Sequence, residues 1–515
     1  MKKTIFIKNA LILTVSSLIL RFAGIIFKVW LAALVGSEGI GLYQLVFSVY
    51  VLASTFATSG ISTAVTRLIA EETALGSKKG TLKILRRSMQ LTLIIAFITV
   101  GIIWLGADFI AVKLLGDARA VTAVKILPLS LPFMGITSCL RGYFIARRSA
   151  TPNAVSQIFE QAVRIILVVV LVTKFAAKGL EFCCAAVITG DVAAEILACI
   201  MLYLIYLSSK KGLNNLNGRK RPPYGIVRKI THIALPITSG RYLNTALRTA
   251  ENILVPKSLS KYAFCGDKAL SQFGMIKGMA LPILFFPSAI LNSVSTLLIP
   301  EMSEAAAKNQ SRLVKTATGN ILKLTAVISF IFAAIFYVAG EQIGMLIYKS
   351  EDVGFLLKAL SPIVPLMYLD SISDGILKGL DQQVFSFRTA VSDSLMRIVL
   401  IIFLLPKTGL YGFIGIMYFS NFLTCFLNVG RLMKISGATL KPIKEIILPV
   451  LSAFCVTLLS NLLVWGISAQ NNLVYIILLC VLSLPIYFIL LIILGVIEKE
   501  EILHYLGRSI VKIYN

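Results

Sequence analysis

The stretch from Lys125 to Leu167 occurs twice. Without a gap, 233 positions downstream, Lys125 falls on Lys358, Pro132 on Pro365, Met134 on Met367, Ser138 on Ser371, Gly142 on Gly375, Glu160 on Asp393, Arg164 on Arg397 and Leu167 on Leu400. The offset extends upstream, where Ser62, Thr63 and Glu71 fall on Ser295, Thr296 and Glu304, and Asp108 on Glu341. The chain is a duplication, so any fold proposed for the first copy must also suit the second.

Both copies lie in apolar surroundings. A bilayer core needs about 20 apolar residues per helix, and runs of that length fill the chain. Only 14% of its 515 residues are charged, against about 25% in ordinary soluble domains, and its mean hydropathy is +0.87. These features predict an all-α polytopic membrane protein of about 14 helices. Among them are a first helix near 10–34, a second near 42–69, a fourth near 120–145, a seventh near 230–256 and an eighth near 270–299. The start resembles a signal peptide, but its apolar run continues past Arg21 to Leu34, so it is expected to stay as the first span.

The formal net charge of +26 would suggest nucleic acid in a soluble protein. Here the positive-inside rule explains it. Lys and Arg concentrate in alternate loops, including Lys78, Lys79, Lys83, Arg86 and Arg87, then Lys210, Lys211, Arg219, Lys220 and Arg221. Both termini are therefore expected in the cytoplasm. The longest polar interval, with Gly218, Pro222 and Pro223, reads as a linker. The expected organisation is an N-terminal six-helix half at 1–207, a cytoplasmic linker at 208–229, and a C-terminal six-helix half at 230–440. Two extra helices follow at 441–497, then a cytoplasmic tail at 498–515. An even helix number per repeat makes the two repeats parallel, related by an axis along the membrane normal.

An enzyme is disfavoured. His232 and His504 are the two histidines, and the chain has no metal-ligand spacing and no phosphate-binding glycine loop. The eight cysteines show no paired spacing and read as small packing residues. No cofactor or metal is expected.

Function is carried by cations inside the helices. Arg21, Lys28, Arg67, Arg241, Arg248 and Lys277 lie on the first two helices of each half. Arg21 and Lys28 are two helical turns apart and share a face, and Arg241 and Arg248 repeat that spacing. At about 2.5–3.5 kcal/mol per central cation, six of them facing lipid would cost on the order of 15–20 kcal/mol. They are therefore expected to line a water-filled cavity between the halves. Arginine's planar fork binds phosphate most specifically, so the substrate should be anionic. Glu160 with Arg164, and Asp393 with Arg397, sit four apart and form expected intramembrane charge pairs. Proline pairs at Pro128 and Pro132 and at Pro362 and Pro365 are expected to kink helices.

Ser16, Ser17, Arg21 and Gly24, the Gly36-Ser37-Glu38-Gly39-Ile40-Gly41-Leu42-Tyr43 turn, and the run from Gly60 through Glu71 resemble the multidrug/oligosaccharidyl-lipid/polysaccharide exporter superfamily. Within it they resemble the stage V sporulation protein B and lipid II flippase branch. The resemblance implies a V-shaped monomer in the bacterial plasma membrane that moves an undecaprenyl-pyrophosphate-linked glycan by alternating access, with membrane lipids but no nucleic acid as partners. It also implies that Arg21 is the helix 1 arginine of lipid II flippases. Lys28 stands beside the place of their second, at Phe27, and Lys277 takes the place of a helix 8 arginine. A cation-coupled multidrug exporter of the same fold would need acidic residues in its cavity, and neither of the first two helices supplies one. A non-transporting assembly scaffold is the other alternative.

Overall fold

The computed structural model describes residues 2–58, 60–175, 178–210, 225–263, 266–289, 291, 302–439, 441–468 and 471–497. Much of the expected linker, at 211–224, and all of the expected tail lie outside the described residues, as do Cys265 and the end of the expected eighth helix.

Described residues form helices and short turns, with no strand among them. The long helices are α1 Lys2–Thr58, α2 Ile61–Ala74, α3 Lys78–Leu105, α4 Leu131–Ala146, α5 Thr151–Phe175, α6 Leu180–Lys210 and α7 Ile226–Ala263. After the short α8 Gly266–Phe273 come α9 Ser311–Tyr348, α10 Glu351–Leu360, α11 Val364–Gly379, α12 Gln383–Ser436, α13 Leu448–Ser468 and α14 Asn472–Ile493. Among the described residues, ten stretches are long and apolar enough to cross a bilayer. Two of these, Val15–Ala74 and Gln383–Ser436, run to 60 and 54 residues, far more than the roughly 20 that one crossing needs.

Glycine divides both. In α1 the chain turns at Gly36 (φ 71°, ψ −179°), and in α12 at Gly409 (φ 60°, ψ −139°), backbone that a residue with a Cβ rarely adopts. The expected second helix does not run unbroken over 42–69. Gly60, at φ 73°, separates α1 from α2, and a Cβ there would lie 2.2 Å from Thr238 Oγ1. The expected kinks form at the prolines, where Leu127–Ser130 and Ser361–Ile363 tighten into 3-10 turns.

The chain divides into two compact units. One comprises 1–278 with 394–409, the other 279–393 with 410–515. A contact recurs at the repeat offset within them. Lys125 pairs with Asp108 at 3.2 Å in the first unit, and Lys358 with Glu341 at 2.9 Å in the second.

In the second unit α13 and α14 pack on α9, where the Tyr487 hydroxyl donates to the Val327 carbonyl at 3.1 Å amid Ile331, Ile335, Val456 and Leu491. Their other faces present Leu462, Leu463 and Ile493, each about three-quarters exposed. Such faces suit hydrocarbon, where exposed leucine carries no penalty.

Candidate functional site: a charged cavity and two ionic clusters

Within the first unit α1, α4, α5 and α6 enclose a cavity of about 510 Å³. Its wall includes Lys28 of α1, Arg141 of α4, Glu160 and Arg164 of α5, and Asp191 and Glu195 of α6. The helical spacing of α5 puts Glu160 and Arg164 on one face, and they bond at 2.7 Å. Glu160 also accepts from Arg141 at 2.9 Å, and Arg164 Nε lies 3.1 Å from Asp191. Two arginines and two carboxylates thus tie three helices together. Breaking such a buried set by removing one partner costs about 3–5 kcal/mol, because a charge is left uncompensated.

Asp191 and Glu195 were not singled out in the sequence. They stand one turn apart in an apolar run, a signal that marks a functional or pairing position. Because of them the cavity wall is not purely cationic. Three cations, Lys28, Arg141 and Arg164, face three carboxylates.

A second cluster forms where α7 meets the turn after α8. Residues Gly274–Ala280 are a π-helical turn carrying Lys277, a distortion that redirects side chains and is common at functional sites. Lys277 Nζ donates to Glu251 Oε1 of α7 at 3.1 Å, and the Arg397 guanidinium donates to the same oxygen. Asp393, expected to pair along the helix with Arg397, accepts from Ser420 Oγ at 2.5 Å.

The remaining expected cations are distributed differently. Arg67 is a surface residue, paired with Glu71 at 3.1 Å with both side chains more than half exposed. Arg21, Arg241 and Arg248 are exposed; Arg241 adjoins Tyr242, whose hydroxyl bonds the Phe56 carbonyl at 3.1 Å. Among the described residues these three have no ion-pair partner. Helix α7 carries Arg228, Lys229, Arg241, Arg248, Glu251, Lys257 and Lys261. It is 38 residues long, yet it is not among the stretches of the described residues that are long and apolar enough to cross a bilayer.

At one end of the unit the Gly36–Gly41 segment of α1 is pressed against α8. A Cβ on Gly41 would fall 2.2 Å from the Leu270 carbonyl oxygen, and one on Gly274 would fall 2.0 Å from that of Ser37. Beside this seam Arg119 donates to Glu38 at 2.6 Å and Asp117 at 2.7 Å, and reaches Asp267 at 3.3 Å.

Residues 6–306 match the family described as polysaccharide biosynthesis protein. Stage V sporulation protein B of Bacillus subtilis (strain 168) is 27% identical over 99% of this chain and its own full length. The structure of lipid II flippase MurJ in an inward closed conformation superimposes with a TM-score of 0.70, at 16% identity, covering 93% of this chain and 98% of that one. An inward-facing multidrug resistance MATE family transporter of the MOP superfamily gives a TM-score of 0.66 at 14% identity, covering 82% and 96%. The family match and this relative agree with the branch that the sequence resembles, and the two solved structures with the all-α membrane fold expected of it.

Proposed function

The chain belongs to the polysaccharide biosynthesis protein family, and from that premise we propose that it is a flippase for an anionic, undecaprenyl-pyrophosphate-linked glycan precursor. The cargo class is lipid II or a related cell-wall, spore-cortex or polysaccharide precursor, carried across the plasma membrane by alternating access of two six-helix halves. The names of its relatives support this class, since one is a stage V sporulation protein and a fold neighbour is a lipid II flippase.

The observation that carries the reading is the cationic surplus on α1 and α7. Arg21, Arg241 and Arg248 sit on helices of a membrane fold without a carboxylate partner among the described residues, and such costly charges are kept for an interior or a substrate. Phosphate suits the arginine fork. The test is genetic. Expression should restore growth to cells depleted of their lipid II flippase, or else polymer export to cells lacking a capsule or teichoic-type flippase. Rescue of neither would refute the reading.

Cation-coupled drug export remains a second reading because Glu160, Asp191 and Glu195 line the cavity. Two of these acids are bonded or close to arginines, which lowers their value as sites for a cationic drug. Efflux of a cationic dye from cells expressing the chain, abolished by Glu195→Gln, would favour it.

A further inference from the structure

The cavity of about 510 Å³ has a second wall that the charges of α4, α5 and α6 do not explain. Tyr43, Phe47 and Tyr50 stand four and three residues apart on α1, hence on one face, and all three line the cavity beside Gln44. Their rings follow one another at centroid distances of 5.6 and 5.7 Å. Each residue is half-buried, so the row is a lining rather than a core. We propose that this cavity holds the sugar head of the cargo, a neutral, hydroxyl-rich pyranose laid against the aromatic row. The proposal rests on the reading that the cargo is a lipid-linked glycan, and it adds where the glycan sits.

The two walls suit the two sides of a sugar ring. An aromatic face carries the negative part of the ring quadrupole, and the flat side of a pyranose presents weakly positive C–H groups, so the two stack without either losing a hydrogen bond. On the other wall Arg141, Glu160, Arg164 and Asp191 are paired with one another, which fixes them and cancels their charge. Lys28 and Glu195 add one charge of each sign. A phosphate needs a cationic surplus, which this wall lacks. Sugar hydroxyls, which donate and accept at once, suit a neutral wall of fixed polar groups. Arg164 holds the Gln161 amide by its oxygen at 3.1 Å, leaving the NH2 group of that amide as a donor. The Tyr50 hydroxyl donates to the Met134 thioether at 3.1 Å, a weak acceptor that a sugar oxygen would outcompete. Room is available as well, since a Cβ on Gly24 would meet nothing within 4 Å, and the cavity falls within the roughly 300–1,000 Å³ usual for small-molecule sites.

The duplication separates ligand contact from packing. At the offset of 233, which carries Gly41 onto Gly274, Tyr43, Phe47 and Tyr50 fall on Ile276, Ala280 and Ile283. Those three are buried aliphatics, at most 7% exposed. The repeat therefore requires an apolar residue at each position but not a ring. Its acid–arginine spacing is different, being kept in both copies as Glu160 with Arg164 and Asp393 with Arg397. The rings belong to the cavity of the first copy, as a contact made for a ligand would.

The test is saturation-transfer NMR on the purified full-length chain, in a detergent without a sugar head group, with N,N′-diacetylchitobiose as the sugar probe and inorganic phosphate as an anionic competitor. Wild type should transfer saturation to the ring C–H protons of the disaccharide, and phosphate should leave that signal unchanged. Phe47→Ala should weaken binding about tenfold and Gln161→Ala about threefold, whereas Phe47→Trp, which keeps a ring face, should retain it. Gly24→Leu should abolish binding by filling open cavity, with a melting temperature equal to that of wild type, so it carries the test should Phe47→Ala fail to fold. No transfer to the disaccharide in wild type, displacement by phosphate, or unchanged affinity in Gly24→Leu would each overturn the proposal. If wild type translocates a lipid-linked glycan in vesicles yet binds no free disaccharide, the sugar site falls and the flippase stands. If it binds the disaccharide through these residues and translocates none, the reverse holds.

Discussion

Ser37 and Ser271 share a hydrogen bond of 2.6 Å between their hydroxyls, although 234 residues separate them. The contact exists because Gly41 and Gly274 let two backbones touch where any Cβ would collide, and it is flanked by the Arg119 hub. It is a seam that alternating access would have to open. In a cysteine-free background, Ser37→Cys with Ser271→Cys should cross-link under mild oxidant and stop transport, and reductant should restore it. Undiminished transport by the cross-linked protein, read alongside gel mobility, would show that the seam stays shut throughout the cycle.

The paired and the unpartnered charges make opposite demands on stability. Glu160 holds Arg141 and Arg164, so Glu160→Ala should destabilise the protein by up to about 3–5 kcal/mol and reduce its membrane abundance. Arg21→Ala and Arg241→Ala remove cations without ion-pair partners among the described residues and should leave abundance unchanged or raised. Quantitative immunoblotting of membranes together with detergent melting curves reads both.

Topology is open to thiol labelling, and the structure decides where to place the probe. Ser77 is fully buried and caps α3 by accepting from the Gly80 amide at 3.1 Å, so a cysteine there would resist reagent on either side. Lys79 and Asn471 are exposed. With cytoplasmic termini, Lys79→Cys should be protected in intact cells and Asn471→Cys should react with an impermeant maleimide, the latter at a cost of about 1 kcal/mol for the lost helix cap. The inverse pattern would reverse the orientation.

Much of this was legible in the sequence. The helical class, the kinks at Pro128 and Pro362 and the Glu160–Arg164 bond follow from local periodicity, because an i,i+4 pair on a helix needs no knowledge of the rest of the chain. Asp191 closing on Arg164 and Glu251 receiving Arg397 from 146 residues away were not legible, since those partners are chosen by packing between helices. Gly60 was misread as helix interior for the same reason; its turn is imposed by Thr238 and Ala234, which leave no room for a Cβ. The charge-neutral character of the cavity was likewise hidden, as half its wall comes from α4, α5 and α6 rather than from the cation-rich helices.

The inside-negative potential offers a drive that requires no coupling ion. Moving negative charge outward gains about 2.3 kcal/mol per charge per 100 mV, so two phosphate charges would gain roughly 5 kcal/mol. In vesicles, a potassium–valinomycin potential of that sign should accelerate translocation, and collapsing it should slow translocation even when ion gradients are kept. Full activity on an ion gradient alone would assign the drive to that ion.

Everything turns on whether the cations of α1 and α7 carry an anionic lipid across. The direct measurement is translocation of lipid II in proteoliposomes, followed by its accessibility to an enzyme added outside, for wild type and for Arg21→Ala combined with Arg241→Ala at equal protein density. Wild type should translocate well above protein-free vesicles and the double variant should fall to that background, with Arg→Lys at both positions retaining part of the activity. Wild-type rates in the double alanine variant would contradict it.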